Sequence, residues 1–239
     1  MPNLVRFTVS LALGLVAGSW SSPALAEPAA GPKRPNVMFI AIDDLNDWVG
    51  PLAGNPQTLT PSLDVFARES VTFGRNYAPS PGCNPSRTAT LTGMHTYRSG
   101  MYSNYQDWRE VPALRDAVTL PRHFRDNGYF TAGAGKIFHY TQTDPAAWND
   151  YFPSPEQPMP REFLPEDRPV NMTPFEYMYG MFDWAPLDRA DEDTADFQTV
   201  RYVSEQLGRD HERPFFLAAG IYRPHLPLSL IHISEPTRQ

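Results

Sequence analysis

Asn36-Val37-Met38-Phe39-Ile40-Ala41-Ile42-Asp43-Asp44 is an apolar run with no polar alternation that stops at two adjacent carboxylates. Such a run predicts a strand buried on both faces, as in a parallel sheet. Carboxylates at the C-terminal end of a central strand lie where open α/β sheets bind ligands. Two like charges side by side repel unless a cation neutralises them, and hard oxygen ligands suit calcium or magnesium. On residues alone a solvated turn is the other reading of Asp43-Asp44.

A second apolar run, Pro214 to Gly220 (PFFLAAG), predicts another buried strand. It leads into Ile221-Tyr222-Arg223-Pro224-His225-Leu226-Pro227, so His225 lies just past a strand end, well placed for a site. Helices alternate with these runs. Thr60-Pro61 reads as an N-cap and first turn, with Leu63, Phe66 and Ala67 as the apolar stripe through Glu69. Val71 to Tyr77 reads as a short strand. Thr119 to Asn127 is a helix closed by Gly128, and Asp193 to Leu207 is another, stopped by Gly208. Ala195, Val200, Val203 and Leu207 mark the apolar side of the latter. Alternating strands and helices predict an α/β fold, a mainly parallel sheet flanked by helices. Thr141 to Asp188, rich in Pro, Asp, Met and aromatics, reads as a long irregular insertion, bearing specificity or simply packing an edge.

The chemistry concentrates in Pro79 to Gly93, PSPGCNPSRTATLTG, which holds the chain's one cysteine, Cys83. Pro85 suits the first turn of a helix that Ser86 to Leu91 continue and Gly93 ends. Cys83 then sits at a helix N-terminus, where free N–H groups and the dipole favour an anion. A small buried hydrophobe is the plainer reading of a lone cysteine. Further on, Gly128 to His139 reads Gly-Tyr-Phe-Thr-Ala-Gly-Ala-Gly-Lys-Ile-Phe-His. Lys136 offers a point charge for an anion, and His139 can move protons near neutral pH.

Cys-x-Pro-Ser-Arg followed by Leu-Thr-Gly resembles the first signature of the type I sulfatases, and Gly-Tyr-x-Thr-x-x-x-Gly-Lys-x-x-His resembles their second. Asn36 to Asp44 looks like the family's opening strand. DDLNDWVG and Arg-Pro-His-x-Pro are similar to members of the iduronate-2-sulfatase type. The resemblance spans about Pro35 to Pro227 and implies an alkaline-phosphatase-like sulfatase core, truncated here, that hydrolyses sulfate esters. It implies oxidation of Cys83 to formylglycine by a formylglycine-generating or sulfatase-maturing enzyme. It places a divalent cation, usually calcium, on Asp43 and Asp44 beside residue 83. Arg87 and Lys136 would offset charge, His225 would hold sulfate and protonate the leaving oxygen, and His139 would be the base that regenerates the aldehyde. The family's second pair of metal ligands and a further lysine normally lie well downstream of this endpoint, so the fragment is expected to lack a complete site. Two rival functions are a phosphonate or phosphate monoester hydrolase of the same superfamily and a non-catalytic sulfated-glycan-binding protein. A sulfated polysaccharide is the substrate class the likeness implies.

A formal net charge of −7 argues against binding nucleic acid through phosphate neutralisation. One cysteine excludes an internal disulfide framework. Residues 1–26 read as a secretory signal: Arg6, the apolar run Phe7 to Ala17, and Ala24-Leu25-Ala26 before the cut. That run is too short for a membrane span. The mature chain is therefore expected to begin at Glu27, with a leader over 27–35, and to be periplasmic or extracellular. Residues 228–239, LSLIHISEPTRQ, resemble a translated sequencing adapter, so the catalytic-domain sequence is expected to occupy 36–227.

Overall fold

A computed structural model describes residues 34–139, 142–155, 159, 184–187, 189–226 and 228–230. The expected signal peptide, most of the insertion and the tail past residue 230 lie outside the described residues. The described residues from Arg34 onward belong to one compact unit.

Four parallel strands make the sheet, in the order β1 (Val37–Ile42), β5 (Phe215–Ile221), β2 (Phe130–Gly135), β3 (Asp150–Phe152). A separate parallel pair joins β4 (Trp184–Pro186) to β6 (Leu228–Leu230). Parallel strands need crossovers, and helices supply them. These are α1 (Pro61–Arg68), α2 (Cys83–Thr92), α3 (Thr96–Ser99), α4 (Leu120–Asp126) and α5 (Ala195–Leu207).

The predicted strand at Asn36–Ile42 forms, but it is not buried on both faces. β1 is an edge strand, and Met38 and Ile40 stay 44% and 56% exposed. The buried strands are β5 and β2; β5 is buried over Phe216–Gly220 and pairs with β1 on one side and β2 on the other. Its Phe216 is 1% exposed and sits among Phe124, Trp148 and Phe39, with ring centroids 4.6, 6.3 and 6.4 Å away. Burial of one such ring contributes about 2–3 kcal/mol. The core continues through Met101, Trp108, Leu114, Ile137 and Phe138.

The insertion is less irregular than expected at its start. Asp150–Phe152 adds a fourth strand, and Trp148 and Phe152 enter the core rather than packing only within the segment. Val71–Tyr77, expected as a strand, forms no ladder, and Val71, Phe73 and Tyr77 are exposed because no described strand lies beside them. The α1 stripe likewise buries nothing; Phe66 is 69% exposed. Thr60 makes no side-chain cap. Its hydroxyl instead accepts from the Gly50 N–H and donates to Asp64. The Thr119 helix start and the Gly128 stop are as expected, with Gly128 at φ +82°.

On α5 the buried line is Ala195, Thr199, Val203 and Gln206, whereas Val200 and Leu207 face outward. Two polar residues take core positions because each is satisfied there. The Thr199 hydroxyl donates to the Ala195 carbonyl at 2.9 Å, and Gln206 Nε2 donates to Asp150 at 2.9 Å.

Candidate active site

The C-terminal ends of β1, β5 and β2 deliver Asp43, the Tyr222–His225 loop and Lys136 to the same edge of the sheet. The ladder extends past the strands to hold them there: Asp43 N donates to the Ile221 carbonyl at 3.0 Å, and Lys136 N to the Gly220 carbonyl at 2.8 Å. This close approach needs glycine on both sides. A Cβ on Gly135 (φ +73°) would stand 2.1 Å from the Gly220 carbonyl oxygen, and one on Gly220 would stand 2.2 Å from Lys136 backbone. Gly220 escaped the sequence reading, since nothing marks a glycine in an apolar run as a contact point.

Cys83 is the first residue of α2, directly after the N-cap Gly82, and Gly93 ends the helix at φ +69° as predicted. Cys83 and Arg87 are four apart and share a helix face. Arg87 reaches from there to Asp43, Nη2 to Oδ1 at 2.8 Å, while its Nη1 donates to the carbonyls of Lys136 and Ile137. Its Nε is buried and has no hydrogen-bond partner among the described residues. Lys136, 2% exposed, donates to the other Asp43 oxygen, so two side-chain cations neutralise one buried carboxylate. Burial would raise the Asp43 carboxyl, but the hydrogen bonds from Lys136 and Arg87 outweigh it and hold the group below its ordinary value.

His225 completes the cluster. Its Nδ1 lies 2.5 Å from the Leu226 carbonyl and therefore carries the hydrogen, which leaves Nε2 toward Asp43 (4.0 Å) and Asp44 (3.8 Å). Asp196, in the first turn of α5, steadies this loop by accepting from the N–H groups of Tyr222 and Arg223 at 2.7 and 2.9 Å. The sequence reading missed Asp196; its position in a helical first turn reads as ordinary dipole complementation. Donor atoms of Asp43, Cys83 and His225 all lie within 4.8 Å of one another. Asp44 stands at the rim, half-exposed, with φ +58°.

The thiol of Cys83 is pushed up by burial; Lys136 pulls it back, whereas Asp43 and Asp44 push it further up. With these side chains alone the thiol stays protonated near pH 7. His139 is pulled down to about 4, first by burial and then by the charges of Lys136 and Arg87, so its imidazole is neutral near pH 7. The open cleft over this cluster is about 500 Å³ and is lined by Asp43, Asp44, Cys83 and Arg87 above an apolar floor of Phe39 and Leu91. All seven residues singled out in the sequence therefore fall in one neighbourhood: Asp43, Asp44, Cys83, Arg87, Lys136 and His225 by contact or shared cleft, and His139 by its charge coupling to Lys136, Arg87, Asp43 and His225.

The sulfatase family profile matches residues 35–235. The chain belongs to the sulfatase family. This sulfatase chain is 34% identical over 206 residues to a sulfatase of Formosa agariphila, covering 82% of this chain and 40% of that protein. It is 30% identical over 203 residues to human iduronate 2-sulfatase, covering 80% and 35% respectively. It thus spans well under half the length of these curated relatives. Among solved structures, one in complex with its substrate D-glucosamine-2-N,6-O-disulfate matches at TM-score 0.55 and 22% identity, over 81% of this chain and 35% of that one. The phosphonate monoester hydrolase of Agrobacterium radiobacter matches at TM-score 0.57 and 19% identity, over 82% and 42%. The parallel-sheet fold is shared with both.

Proposed function

We propose that the protein hydrolyses sulfate esters, with residue 83 in oxidised form as nucleophile. The observation that carries this reading is the convergence of Asp43, Cys83 and His225 within 4.8 Å, beside Lys136 and Arg87, in a chain of the sulfatase family. A protonated, partly buried thiol is a poor nucleophile, which favours conversion of Cys83 over direct thiolate attack. Conversion to the aldehyde by a maturation enzyme would supply, on hydration, one hydroxyl to attack sulfur and a second whose deprotonation expels sulfate.

The two aspartates fit a hard cation: both are oxygen donors, and both lie close enough to residue 83 to raise its thiol. Calcium, or magnesium, held by Asp43 and Asp44 beside residue 83 would supply charge stabilisation at sulfate and nucleophile. Lys136 and Arg87, both bonded to Asp43, would add positive charge beside the bound anion. His225 Nε2, free of the Leu226 contact, faces the cleft carboxylates, and in the imidazolium form, with Nδ1–H held by Leu226, it would carry the second proton and donate it to the leaving oxygen. His139, neutral near pH 7, takes the proton from the second hydroxyl.

A sulfated saccharide is the substrate class we propose, on the strength of the named substrates of the relatives and of the matched structure. Export through residues 1–26 fits such a polymer outside the cell. Assays of the gene's complete reading frame on paired aryl sulfate and aryl phosphate esters test the reading. Sulfate ester turnover faster than phosphate supports it. The reverse ratio assigns the protein to phosphate or phosphonate esters, and binding of sulfated glycan with no turnover assigns it to the non-catalytic class.

A further inference from the structure

Asn84, the residue after Cys83, is 1% exposed, and no step of the proposed chemistry uses it. Its backbone N–H is one of the orphan donors at the start of α2, where no side chain of the helix itself supplies a cap. Asn104 supplies it from another segment, Oδ1 accepting at 3.0 Å. The Asn84 side-chain amide then reaches three acceptors: the Asn104 carbonyl at 3.1 Å, the Gln106 carbonyl at 2.7 Å and Gln142 Oε1 at 2.6 Å. Its own Oδ1 accepts from Thr88 at 3.4 Å. Its backbone N–H and both side-chain N–H groups are therefore spent on holding position.

Gln142 ties this anchor to the other side of the site. Its N–H donates to the His139 carbonyl at 3.0 Å, and its own carbonyl accepts from the buried Trp108 indole at 2.7 Å. One short chain of contacts thus runs from the residue beside the nucleophile, through Gln142, to the backbone of His139. Buried amide hydrogen bonds that link segments in this way rigidify what they join.

We propose that Asn84 and Gln142 form a positioning clamp that sets the separation between residue 83 and His139. This rests on the sulfatase reading above. The clamp acts on the step that needs both residues, release of sulfate, and not on attack at sulfur or on substrate binding.

The test uses the matured product of the complete reading frame and 4-nitrophenyl sulfate. Gln142→Ala should lower kcat by roughly tenfold to a hundredfold, the range a misplacement of about 1 Å produces. KM should fall with it, so that kcat/KM stays within about twofold of wild type, and a burst of one nitrophenol per site should precede the slow phase, because the first attack is intact. Gln142→Glu, which keeps an acceptor at the same reach, should recover most of the rate, whereas a merely structural lesion would not be rescued this way. Asn84→Ala, which also loses the bonds to Asn104 and Gln106, should show at least the Gln142→Ala loss of kcat, and the double variant should add little to Asn84→Ala, since the Asn84–Gln142 contact is already broken in it. A kcat for Gln142→Ala within twofold of wild type, a loss that extends to kcat/KM, or a Gln142→Glu no better than Gln142→Ala overturns the clamp while the sulfatase reading stands. Wild-type protein that releases no nitrophenol overturns both.

Discussion

At the scale of single residues the site is a problem in charge placement. Asp43 is kept anionic by Lys136 and Arg87. The same two cations, after burial, keep His139 uncharged. That second effect has a measurable consequence for stability. His139 falls from an ordinary 6.5 to about 4 in the fold, so between those values the unfolded chain binds a proton that the folded chain does not. The contribution of neutral His139 is present above pH 6.5 and is lost as pH falls toward 4. Asp43 titrates below its ordinary 3.8 and stays outside this window. A His139→Gln variant should therefore show a flatter fall of Tm between pH 7 and 5 than wild type. Equal slopes would mean that His139 is not held neutral by the fold. The residue types were readable in advance because each belongs to a dense motif. Gly220 and Asp196 were not, since one acts by lacking a side chain and the other through backbone N–H groups.

At the scale of elements, helices with local punctuation were legible. Gly93 and Gly128 end α2 and the α4 segment at positive φ, as their spacing predicted. Elements defined by a partner were not. β1 reads as a core strand from its apolar run but is an edge among the described strands, and Val71–Tyr77 reads as a strand but has no strand beside it among the described residues. Apolar content reports what a segment can bury, and only the arrangement of other segments decides what it does bury. α5 shows the same ambiguity within one helix, where Thr199 and Gln206 displaced Val200 and Leu207 from the core face. Val203, 3% exposed, should cost about 1–3 kcal/mol on truncation to Ala. Val200, 51% exposed, should change stability by no more than about 0.5 kcal/mol. Denaturant titrations of the two variants decide between the faces; equal losses would restore the face read from the sequence.

At the scale of the whole molecule, residues 43, 83, 87, 136, 139 and 225 are brought together by three parallel strand ends and one helix start. A parallel order makes this convergence natural, because every C-terminal strand end faces the same way. Exposed apolar residues include Met38 and Ile40 on β1, Val65 and Phe66 on α1, and Val71, Phe73 and Tyr77 in the stretch that follows. Among the described residues no helix is long and apolar enough to cross a membrane. The account turns on residue 83. A thiol or serine hydroxyl at that position could accept the sulfo group but could not expel it by simple elimination. Cys83→Ala should abolish sulfate release, and Cys83→Ser should stop after one turnover with the group trapped. The direct measurement is sulfate released per site from an aryl sulfate by the matured, full-length gene product, taken beside mass spectrometry of the peptide containing residue 83. The account predicts many turnovers per site only where that residue carries the aldehyde; many turnovers from protein whose Cys83 is an unmodified thiol would contradict it.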